Sequence, residues 1–355
     1  MRVTVIGAGH GGQALAGYIA HKGCDVTIYN RTKSVLDGIE KNGGISLEGV
    51  ISQKEITVSL TNNIADAVNN AEVILVCVPA TAHRDIAKLI ATHIKKTQII
   101  ILIPGRTLGA FFFKKDLIDN AAYELPIIAE TDTFILTSRK LANGKSKIIS
   151  FKDVVYLAAE TKQESEYTCD ILKPIFPKVT ASDTQIYTSL ANIGAIFHPI
   201  PAIFNIARIE CKEEYLHYKQ GITPSVAHLL ELIDDERLAL ANRLGVPVPS
   251  AKEWLYNVYG SCGDNLYEAL QTTDAYDEVV APTEINTRYI YEDITTGLVP
   301  MYCLAKRLGT PHQLLEQIIS LASVMFDYDF YHNGRYDVAD FVEHYVRKQN
   351  TSKVT

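Results

Sequence analysis

Short apolar runs alternate with stretches of helical apolar spacing along the first half of the chain. Residues 3–6 form a short β-branched run that ends at a glycine, which predicts a buried strand. Apolar positions then recur at helical spacing over residues 14–19, and a second apolar run covers residues 26–29. Strand, helix and strand in this order predict a βαβ unit built on a parallel sheet.

The same alternation continues beyond this unit. Short apolar runs that end at turn residues predict further strands, at residues 45–60 (a pair around Gly49), 72–78, 98–103, 127–129, 134–136, 147–151 and 154–158. Helices are predicted at residues 63–69 and 81–94. Alternation of this kind is typical of a doubly wound α/β sheet.

From about residue 183 onward the apolar spacing is helical. Residues 188–204 are apolar nearly all round, which predicts a single buried helix. Residues 226–244 carry an apolar stripe and are followed by a glycine, as helices often are. The dipeptide Thr310-Pro311 offers an N-cap and a first-turn proline, so it predicts the start of another helix.

This change of pattern divides the chain into two domains. We predict an N-terminal Rossmann-type doubly wound sheet over residues 1–181 and an all-helical C-terminal domain over residues 182–355. The predicted fold class is therefore α/β, and 355 residues suffice for two separate cores.

A glycine-rich turn stands between the first strand and the first helix. In the pattern G-x-G-x-x-G, Gly7 makes the tight turn, Gly9 lets backbone approach a pyrophosphate, and Gly12 lets the helix pack on the strand. Amide N–H groups at the helix start would face that anion. Such a motif alone also fits a structural turn, but its βαβ context predicts a dinucleotide site that includes His10 and Gly11.

The residues after the second strand bear on the choice of dinucleotide. Sites that prefer NAD usually carry an acid there, whereas this chain has Asn30, Arg31 and Thr32. Arg31 could bind a 2′-phosphate with the help of Thr32, although an exposed loop arginine is the plain alternative. Because the acid is missing and a base is present, we favour NADP(H) over NAD(H).

Two further loops leave the carboxyl ends of predicted parallel strands. Loops in this position surround the cofactor crevice of doubly wound sheets. We therefore assign Pro79 and Gly105 to the cofactor, and His83 to the substrate.

Composition and charge exclude several classes of partner. The formal net charge is −7 and no basic run reverses it, so we expect no nucleic-acid partner and no attraction to an anionic membrane surface. The 6 cysteines are scattered without C-x-x-C spacing, which favours free thiols over a disulfide framework or a zinc site, and we expect no metal.

The start of the chain bears on location. The first strand begins directly after Met1-Arg2, and no apolar run approaches membrane-spanning length. We therefore expect a cytoplasmic protein without a signal peptide. The oligomeric state is left open, with a homodimer as one alternative.

One histidine stands inside the apolar segment at residues 188–204. A lone histidine of this kind is more often a satisfied core residue than a catalyst. Here, however, His198 is followed by Pro199, which disfavours helical geometry at His198 and leaves carbonyls without intrahelical partners. That arrangement is common where a helix lines a cleft, so His198 is a candidate for chemistry.

A second group of polar side chains lies in the segment RYIYEDITTGLVP, residues 288–300. Arg288 and Glu292 could simply pair on a surface helix. Asp293, in contrast, falls among apolar neighbours at helical spacing, and a carboxylate there needs a partner. A histidine would be an apt one.

Taken together, these motifs resemble the octopine/nopaline (opine) dehydrogenases, the family that includes the bacterial carboxyethyl-norvaline dehydrogenase. The resemblance covers essentially the whole chain in order. It rests on the glycine-rich start and on residues 79–83, 129–131, 192–199, 288–300 and 308–311, with the His-Pro and Glu-Asp-Ile…Gly-Leu-Val-Pro motifs as its specific parts.

The resemblance implies roles for individual residues. In that family a histidine on the first helix of the second domain is the acid/base, and a downstream aspartate holds it; these positions correspond to His198 and Asp293. An arginine just before the aspartate binds a substrate carboxylate, which implies that role for Arg288, and Asn192 is assigned to the substrate with it. The residues at 30–31 depart from members that use NAD, so the cofactor choice is not carried over.

The activity implied is an NAD(P)H-dependent reductive condensation. The amine of an amino acid would join a 2-oxo acid such as pyruvate, and the resulting imine would be reduced, or the reaction would run in reverse. A ketopantoate reductase-like enzyme or another 2-/3-hydroxyacid dehydrogenase is the nearest alternative, but such enzymes use a lysine that residues 188–204 lack. A non-catalytic NADP(H)-binding regulatory protein is the alternative of another class.

Overall fold

The structure is a computed structural model that describes the backbone of residues 1–352 and the side chains of residues 1–345. Its packing divides the chain into two compact units, Met1–Thr188 and a second that begins at Ser189. The described part of the chain contains no helix long and apolar enough to cross a membrane.

The first unit contains strands and helices in alternation, as predicted. Its strands are β1 (Arg2–Ile6), β2 (Asp25–Tyr29), β3 (Ile45–Gly49), β4 (Gln53–Ile56), β5 (Ser59–Thr61), β6 (Val73–Val76), β7 (Ile99–Leu102), β8 (Ile127–Thr131), β9 (Leu136–Ala142), β10 (Lys145–Phe151), β11 (Val155–Ala158) and β12 (Val179–Ala181). Its helices are α1 (His10–His21), α2 (Lys33–Lys41), α3 (Ile64–Asn69), α4 (His83–Ile90), α5 (Gly109–Asp119) and α6 (Lys162–Leu172), with a 3-10 turn at Ala80–Ala82.

An eight-stranded sheet forms the centre of the first unit, in the order β12-β11-β8-β7-β6-β1-β2-β5. From β5 to β8 all neighbours are parallel, and β11 runs antiparallel to β8. The strand order reverses between β1 and β6, which is the topological switch point where doubly wound sheets bind ligands. The predicted Rossmann-type sheet is confirmed.

The inner strands β1, β6 and β7 are buried on both faces, which explains their nearly continuous apolar sequences. Val3 and Val5 of β1 face one core cluster together with Leu15 of α1, whereas Ile6 faces the other, where Phe113 of α5 packs. The alternation of side chains along each strand therefore fills two cores from one sheet.

A second, four-stranded sheet has the order β4-β3-β10-β9 and packs against α1. A Cβ on Gly17 would lie 2.7 Å from a methyl carbon of Ile45, so the missing side chain lets α1 approach this sheet closely. The pair of strands predicted at residues 45–60 is wrong in number: three strands form, and β5 joins the large sheet instead.

The second unit is helical in its described part, as predicted. A helix α7 (Gln185–Leu190) crosses the division between the units, and the helices that follow are α8 (Gly194–Phe197), α9 (Pro199–Phe204), α10 (Ile206–Glu210), α11 (Pro224–Arg243), α12 (Ala251–Tyr259), α13 (Leu266–Gln271), α14 (Arg288–Asp293), α15 (Val299–Leu308), α16 (Gln313–Met325) and α17 (Ala339–Ser352). A 3-10 turn at Asp274–Tyr276 and a π-helical turn at Ile294–Leu298 complete the list.

A fully buried arginine on α11 ties several of these helices together. The guanidinium of Arg237 donates to the carboxylate of Asp234 at 2.7 Å and to the carbonyls of Leu190 at 2.7 Å and Pro249 at 2.6 Å. The second carboxylate oxygen of Asp234 accepts the Ala251 N–H at 2.7 Å, at the start of α12. The ends of α7 and α12 are thereby fixed to α11.

The helix predicted after Thr310-Pro311 forms as α16, but it begins at Gln313 and not at the predicted residues. Thr310 follows the C-cap of α15, and its N–H donates to the Ala305 carbonyl at 3.0 Å. The carboxylate of Glu236 on α11 instead accepts the N–H groups of Leu314 and Leu315 at 2.9 and 3.0 Å. A carboxylate distant in sequence, rather than a local N-cap, therefore determines where α16 begins.

The close packing of α1 on β1 generates a stability prediction. A Cβ on Gly12 would lie 1.8 Å from the Gly7 carbonyl oxygen, whereas a Cβ on Gly9 would meet nothing within 4 Å. We expect Gly12→Ala to lower the free energy of unfolding by about 3 kcal/mol, since overpacking against backbone cannot relax easily. Gly9→Ala is the matched control and should change it by less than about 1 kcal/mol. Urea titrations of both variants would measure this, and equal losses would contradict the packing role of Gly12.

Candidate active site

The predicted single helix at residues 188–204 is wrong: the segment is divided among α7, α8 and α9. The helix is interrupted at His198, between α8 and α9, although the backbone angles of His198 (φ −100°, ψ −60°) stay in the right-handed helical region. Pro199 and Pro201 cause the interruption, because neither can donate an N–H to the carbonyl four residues before it. Those carbonyls belong to Ala195 and Phe197.

One of these two carbonyls receives a side-chain donor. His217 is fully buried, and its Nε2 lies 3.0 Å from the Phe197 carbonyl oxygen. Since a carbonyl only accepts, Nε2 carries the hydrogen. Burial, and then the nearby charge of His198, lower the pKa of His217 to about 4 although this hydrogen bond opposes the shift. His217 is therefore neutral at pH 7.

A π-helical turn carries Asp293 to the same place. The turn at Ile294–Leu298 follows α14, and Pro300 stands in the first turn of α15 without an N–H to donate. The hydroxyls of Thr295 and Thr296 donate to the carbonyls of Tyr291 and Glu292, at 2.6 and 2.8 Å. π-helical turns inside helices occur frequently at functional sites.

Gly297 lets this turn approach α8. A Cβ on Gly297 would lie 2.5 Å from the Cβ of Ala195 and 3.4 Å from the side-chain nitrogen of Asn192. The two irregular helical segments therefore meet at a position where only glycine fits. The predicted substrate residue Asn192 is buried beside this contact.

His198 and Asp293 are joined by a hydrogen bond of 2.8 Å between Nδ1 and Oδ2. The Asp293 side chain is 0% exposed and that of His198 is 14% exposed. An ionised carboxylate only accepts, so Nδ1 carries the hydrogen and Nε2 is the nitrogen left for proton exchange. A histidine oriented by a buried carboxylate is the arrangement found in general acid/base sites.

The aromatic ring of Tyr289 lies parallel to the imidazole of His198, with 4.3 Å between ring centroids and 9° between planes. Burial raises the pKa of the Tyr289 hydroxyl, so it stays protonated at neutral pH; Arg288 opposes this shift and Asp293 adds to it. Our sequence analysis missed both Tyr289 and His217. Tyr289 stands between two residues that were singled out, but its ring contact depends on the turn of α14.

Arg288 is exposed at the first position of α14. Burial raises the pKa of the Tyr289 and Tyr218 hydroxyls, and the positive charge of Arg288 opposes this shift. The structure brings together Asn192, His198 and Asp293 in the helical unit, and Arg288 directly precedes the tyrosine that stacks on His198.

The glycine-rich turn of the first unit fits a dinucleotide. Gly7 has φ +107°, a conformation that favours glycine, and α1 begins at His10 without a side-chain cap within the described residues. Open space stands where a side chain on Gly9 would be, whereas the ring of Phe134 fills that position at Gly11. The exposed amides at this helix start suit a pyrophosphate.

Asn30 orders the loop after β2. Its side-chain oxygen accepts the Ala8 N–H at 3.1 Å, and its side-chain nitrogen donates to the Thr32 carbonyl at 3.1 Å. Arg31 and Thr32 are exposed next to it. Asn30 therefore links the glycine turn to the loop whose residues Arg31 and Thr32 are the predicted site for a 2′-phosphate.

The other predicted site residues of the first unit differ in exposure. Pro79 is exposed after β6, whereas Gly105 is buried, and a Cβ there would lie 2.3 Å from a carboxylate oxygen of Glu130. His83 is 3% exposed, with its ring edge-on to Phe113 at 6.1 Å. Its assignment to the substrate stays a prediction.

In the sequence analysis Glu130 appears only within the motif at residues 129–131, whereas in the structure its carboxylate accepts hydrogen bonds. Its carboxylate accepts the Ala110 N–H at 2.7 Å, in the first turn of α5, and the Thr188 hydroxyl at 2.7 Å. It thus stabilises the start of α5. Among the described residues, no group of three or more acidic, histidine or cysteine side chains is placed to hold a metal ion.

Comparison with protein families supports the assignment of both halves. A family model described as "NAD/NADP octopine/nopaline dehydrogenase, alpha-helical domain" matches residues 181–326, and one described as "NAD-dependent glycerol-3-phosphate dehydrogenase N-terminus" matches residues 2–121. An opine dehydrogenase of Arthrobacter sp. (strain 1C) is 36% identical over 94% of this chain and 92% of its own.

Solved structures show the same fold. Octopine dehydrogenase with NADH and L-arginine has a TM-score of 0.74 at 20% identity, covering 92% of this chain and 90% of that one. Yersinopine dehydrogenase with NADP+ bound has a TM-score of 0.77 at 16% identity, covering 98% and 99%. Both nicotinamide cofactors therefore occur among proteins with this fold.

Burial of neutral His217 predicts a pH-dependent stability. Its folded pKa of about 4 lies below the ordinary 6.5, so between these values the unfolded chain binds a proton that the folded chain does not. The contribution of neutral His217 to the free energy of unfolding is fully present above pH 6.5. It falls by up to about 3 kcal/mol toward pH 4. The rings of His198, Tyr218 and Tyr289 face this group.

Urea midpoints between pH 4.5 and 7.5 measure the effect. His217→Gln should flatten the pH dependence relative to the unmodified protein, while His228→Gln, at an exposed histidine of α11, should not. If the urea midpoint of His217→Gln changes with pH as steeply as that of the unmodified protein, a group other than His217 causes the pH dependence.

Proposed function

The chain belongs to the opine dehydrogenase family, and we propose that it joins the amine of an amino acid to a 2-oxo acid and reduces the resulting imine with NAD(P)H, or runs the reverse oxidation. It is an NAD(P)-dependent oxidoreductase of this family. The observation that carries the proposed chemistry is the 2.8 Å contact between His198 and buried Asp293 in the helical unit.

We assign the proton transfers to His198. Condensation to the protonated imine requires that the ammonium group of the amino acid lose two protons and that the former keto oxygen gain two to leave as water. A histidine titrates in the range these steps need. Asp293 holds Nδ1–H and stabilises the imidazolium, which leaves Nε2 to exchange protons with the substrate. A bound nicotinamide would supply the hydride for the reduction.

We assign carboxylate recognition to Arg288. Both proposed substrates carry a carboxylate, and a planar guanidinium binds such a group through two parallel hydrogen bonds. Arg288 is exposed and directly precedes the tyrosine that stacks on His198. Asn192 and His83 are the further substrate residues of this proposal.

We propose that the cofactor is NADP(H) in preference to NAD(H). The loop after β2 offers Arg31 and Thr32 at its surface and no carboxylate, while Asn30 holds its shape. The remaining cofactor contacts in this proposal come from the glycine turn and from two loops, namely Gly7, Gly9, His10, Gly11, Gly12, Pro79 and Gly105. We also propose a cytoplasmic location, since all six cysteines are free thiols.

A spectrophotometric screen tests the function. NADPH and NADH oxidation would be followed with pyruvate plus each amino acid, and with each component alone. Oxidation that requires both substrates supports the opine reaction. Oxidation with the oxo acid alone would favour the hydroxyacid dehydrogenase alternative, and none with any pair would favour a regulatory protein.

The cofactor proposal predicts the effect of Arg31→Ala. Loss of one charge-assisted contact should weaken NADPH binding by about 1.5–3 kcal/mol, while NADH binding hardly changes. Fluorescence titration with both cofactors measures this. Arg2→Ala, at the amino end of β1, is the control. Equal loss of both cofactors would reject the assignment of Arg31.

The catalytic proposal predicts that His198→Ala lowers turnover by about 10²–10⁴-fold, the usual range for loss of a general acid/base. Asp293→Asn should also slow turnover, because an amide no longer selects the same imidazole tautomer. NADPH affinity should be unchanged in both. A fully active His198→Ala enzyme would overturn the proposal.

The substrate proposal predicts that Arg288→Lys raises the Michaelis constants of the carboxylate substrates about tenfold or more, because lysine cannot present a bidentate fork. The constant for NADPH should stay the same. A change confined to NADPH would instead place Arg288 against the cofactor.

A further inference from the structure

The imidazole of His198 needs more than Asp293 to fix its position. A single hydrogen bond at Nδ1 leaves the ring free to pivot about the line between Nδ1 and Oδ2. The parallel ring of Tyr289, at 4.3 Å, blocks one face of the imidazole and restricts this pivoting. The hydrogen bond to Asp293 fixes the position of Nδ1, and the stacked ring of Tyr289 fixes the orientation of the imidazole plane.

His217 packs against the side of Tyr289 and also contacts His198, with 6.4 Å between the two histidine ring centroids. The ring centroids of His217 and Tyr289 lie 4.9 Å apart at an angle of 55°, and His217 also stands edge-on to Tyr218 at 4.8 Å and 86°. His217 is 0% exposed, so its ring has little room to move. The three rings of His198, Tyr289 and His217 therefore form one triangular cluster in which each ring contacts the other two.

This ring cluster is anchored to the backbone next to His198. His217 Nε2 donates to the carbonyl of Phe197, the residue that precedes His198. That carbonyl lacks its ordinary helical donor because Pro201 stands four residues later. Pro201, which helps to break the helix at His198, thus also leaves free the carbonyl that accepts the hydrogen bond of His217 and anchors the ring cluster.

We propose that Tyr289 and His217 are positioning residues that hold the imidazole of His198 in its reactive orientation. This rests on the acid/base role proposed for His198. Tyr289 acts through its ring, and its hydroxyl takes no part in the proton transfer. His217 acts through its hydrogen bond to Phe197 and its contact with Tyr289. Because it is neutral at pH 7, it adds no charge next to His198.

The ring of Tyr289 is tested with two substitutions. Tyr289→Phe keeps the stacked ring and should retain turnover within about twofold, whereas Tyr289→Leu should lower kcat by roughly 10–100-fold, the scale of a misplaced catalytic group. The KM for NADPH should not change in either. Tyr336→Leu, at a half-exposed tyrosine of the same unit, is the control. Equal loss in Tyr289→Phe would show that the hydroxyl matters and would overturn the assignment to the ring.

The anchor of His217 is tested in the same way. His217→Gln retains an N–H donor for the Phe197 carbonyl and should keep most of the turnover, whereas His217→Leu should lose about tenfold or more in kcat. Pro201→Ala, added to His217→Leu, supplies a backbone N–H four residues after Phe197. It should recover part of the thermal stability but not kcat. Full recovery of kcat would mean that His217 serves only the backbone, and would overturn its positioning role.

The His198→Ala background separates this proposal from the proposed function. With the imidazole gone there is nothing to position, so adding Tyr289→Leu should leave the residual turnover unchanged within about twofold. A further large loss would indicate a general structural effect and would reject the proposal. If His198→Ala is inactive while Tyr289→Leu and His217→Leu are fully active, the positioning proposal is rejected and the acid/base role of His198 stands. If His198→Ala is itself active, the acid/base role fails and the positioning proposal fails with it.

Discussion

Two missing amide hydrogens determine the shape of the candidate active site. Pro199 and Pro201 cannot donate to the carbonyls of Ala195 and Phe197, so the chain cannot continue as one helix past His198. The break turns His198 from a residue of a regular core helix into one at a junction between two short helices. A buried carbonyl without a donor is costly, and His217 removes that cost at Phe197.

The partner carboxylate depends on a second irregular helix. The π-helical turn at Ile294–Leu298 ends just before Val299-Pro300, and threonine hydroxyls satisfy carbonyls at its start. Gly297 brings this turn against Ala195 in α8. The helix is interrupted at His198, and the π-helical turn begins directly after Asp293. The hydrogen bond between these two residues therefore joins two irregular segments rather than two regular helices.

The sequence predicted those features of the structure that depend on residues close together in the chain. The βαβ unit, the glycine turn and the irregularity at His198 follow from the spacing of apolar residues, glycines and proline within about thirty residues. The contact with Asp293 could be inferred because a carboxylate among apolar residues needs a partner. His217 and Tyr289 could not be found this way, since their roles depend on ring contacts made only by the tertiary fold. The start of α16 was missed for the same reason, because Glu236 lies far from it in sequence.

The buried guanidinium of Arg237 links the candidate site to the cooperativity of the helical unit. Its bond to Leu190 holds the segment that leads to Asn192, its bond to Pro249 holds the loop before α12, and its partner Asp234 holds the first residue of α12. If the bond to Leu190 opened alone, Asp234 would still pair with the guanidinium, but one of its N–H groups would stay in the interior without an acceptor. Partial opening of the segment that leads to Asn192 is therefore more costly than its length suggests.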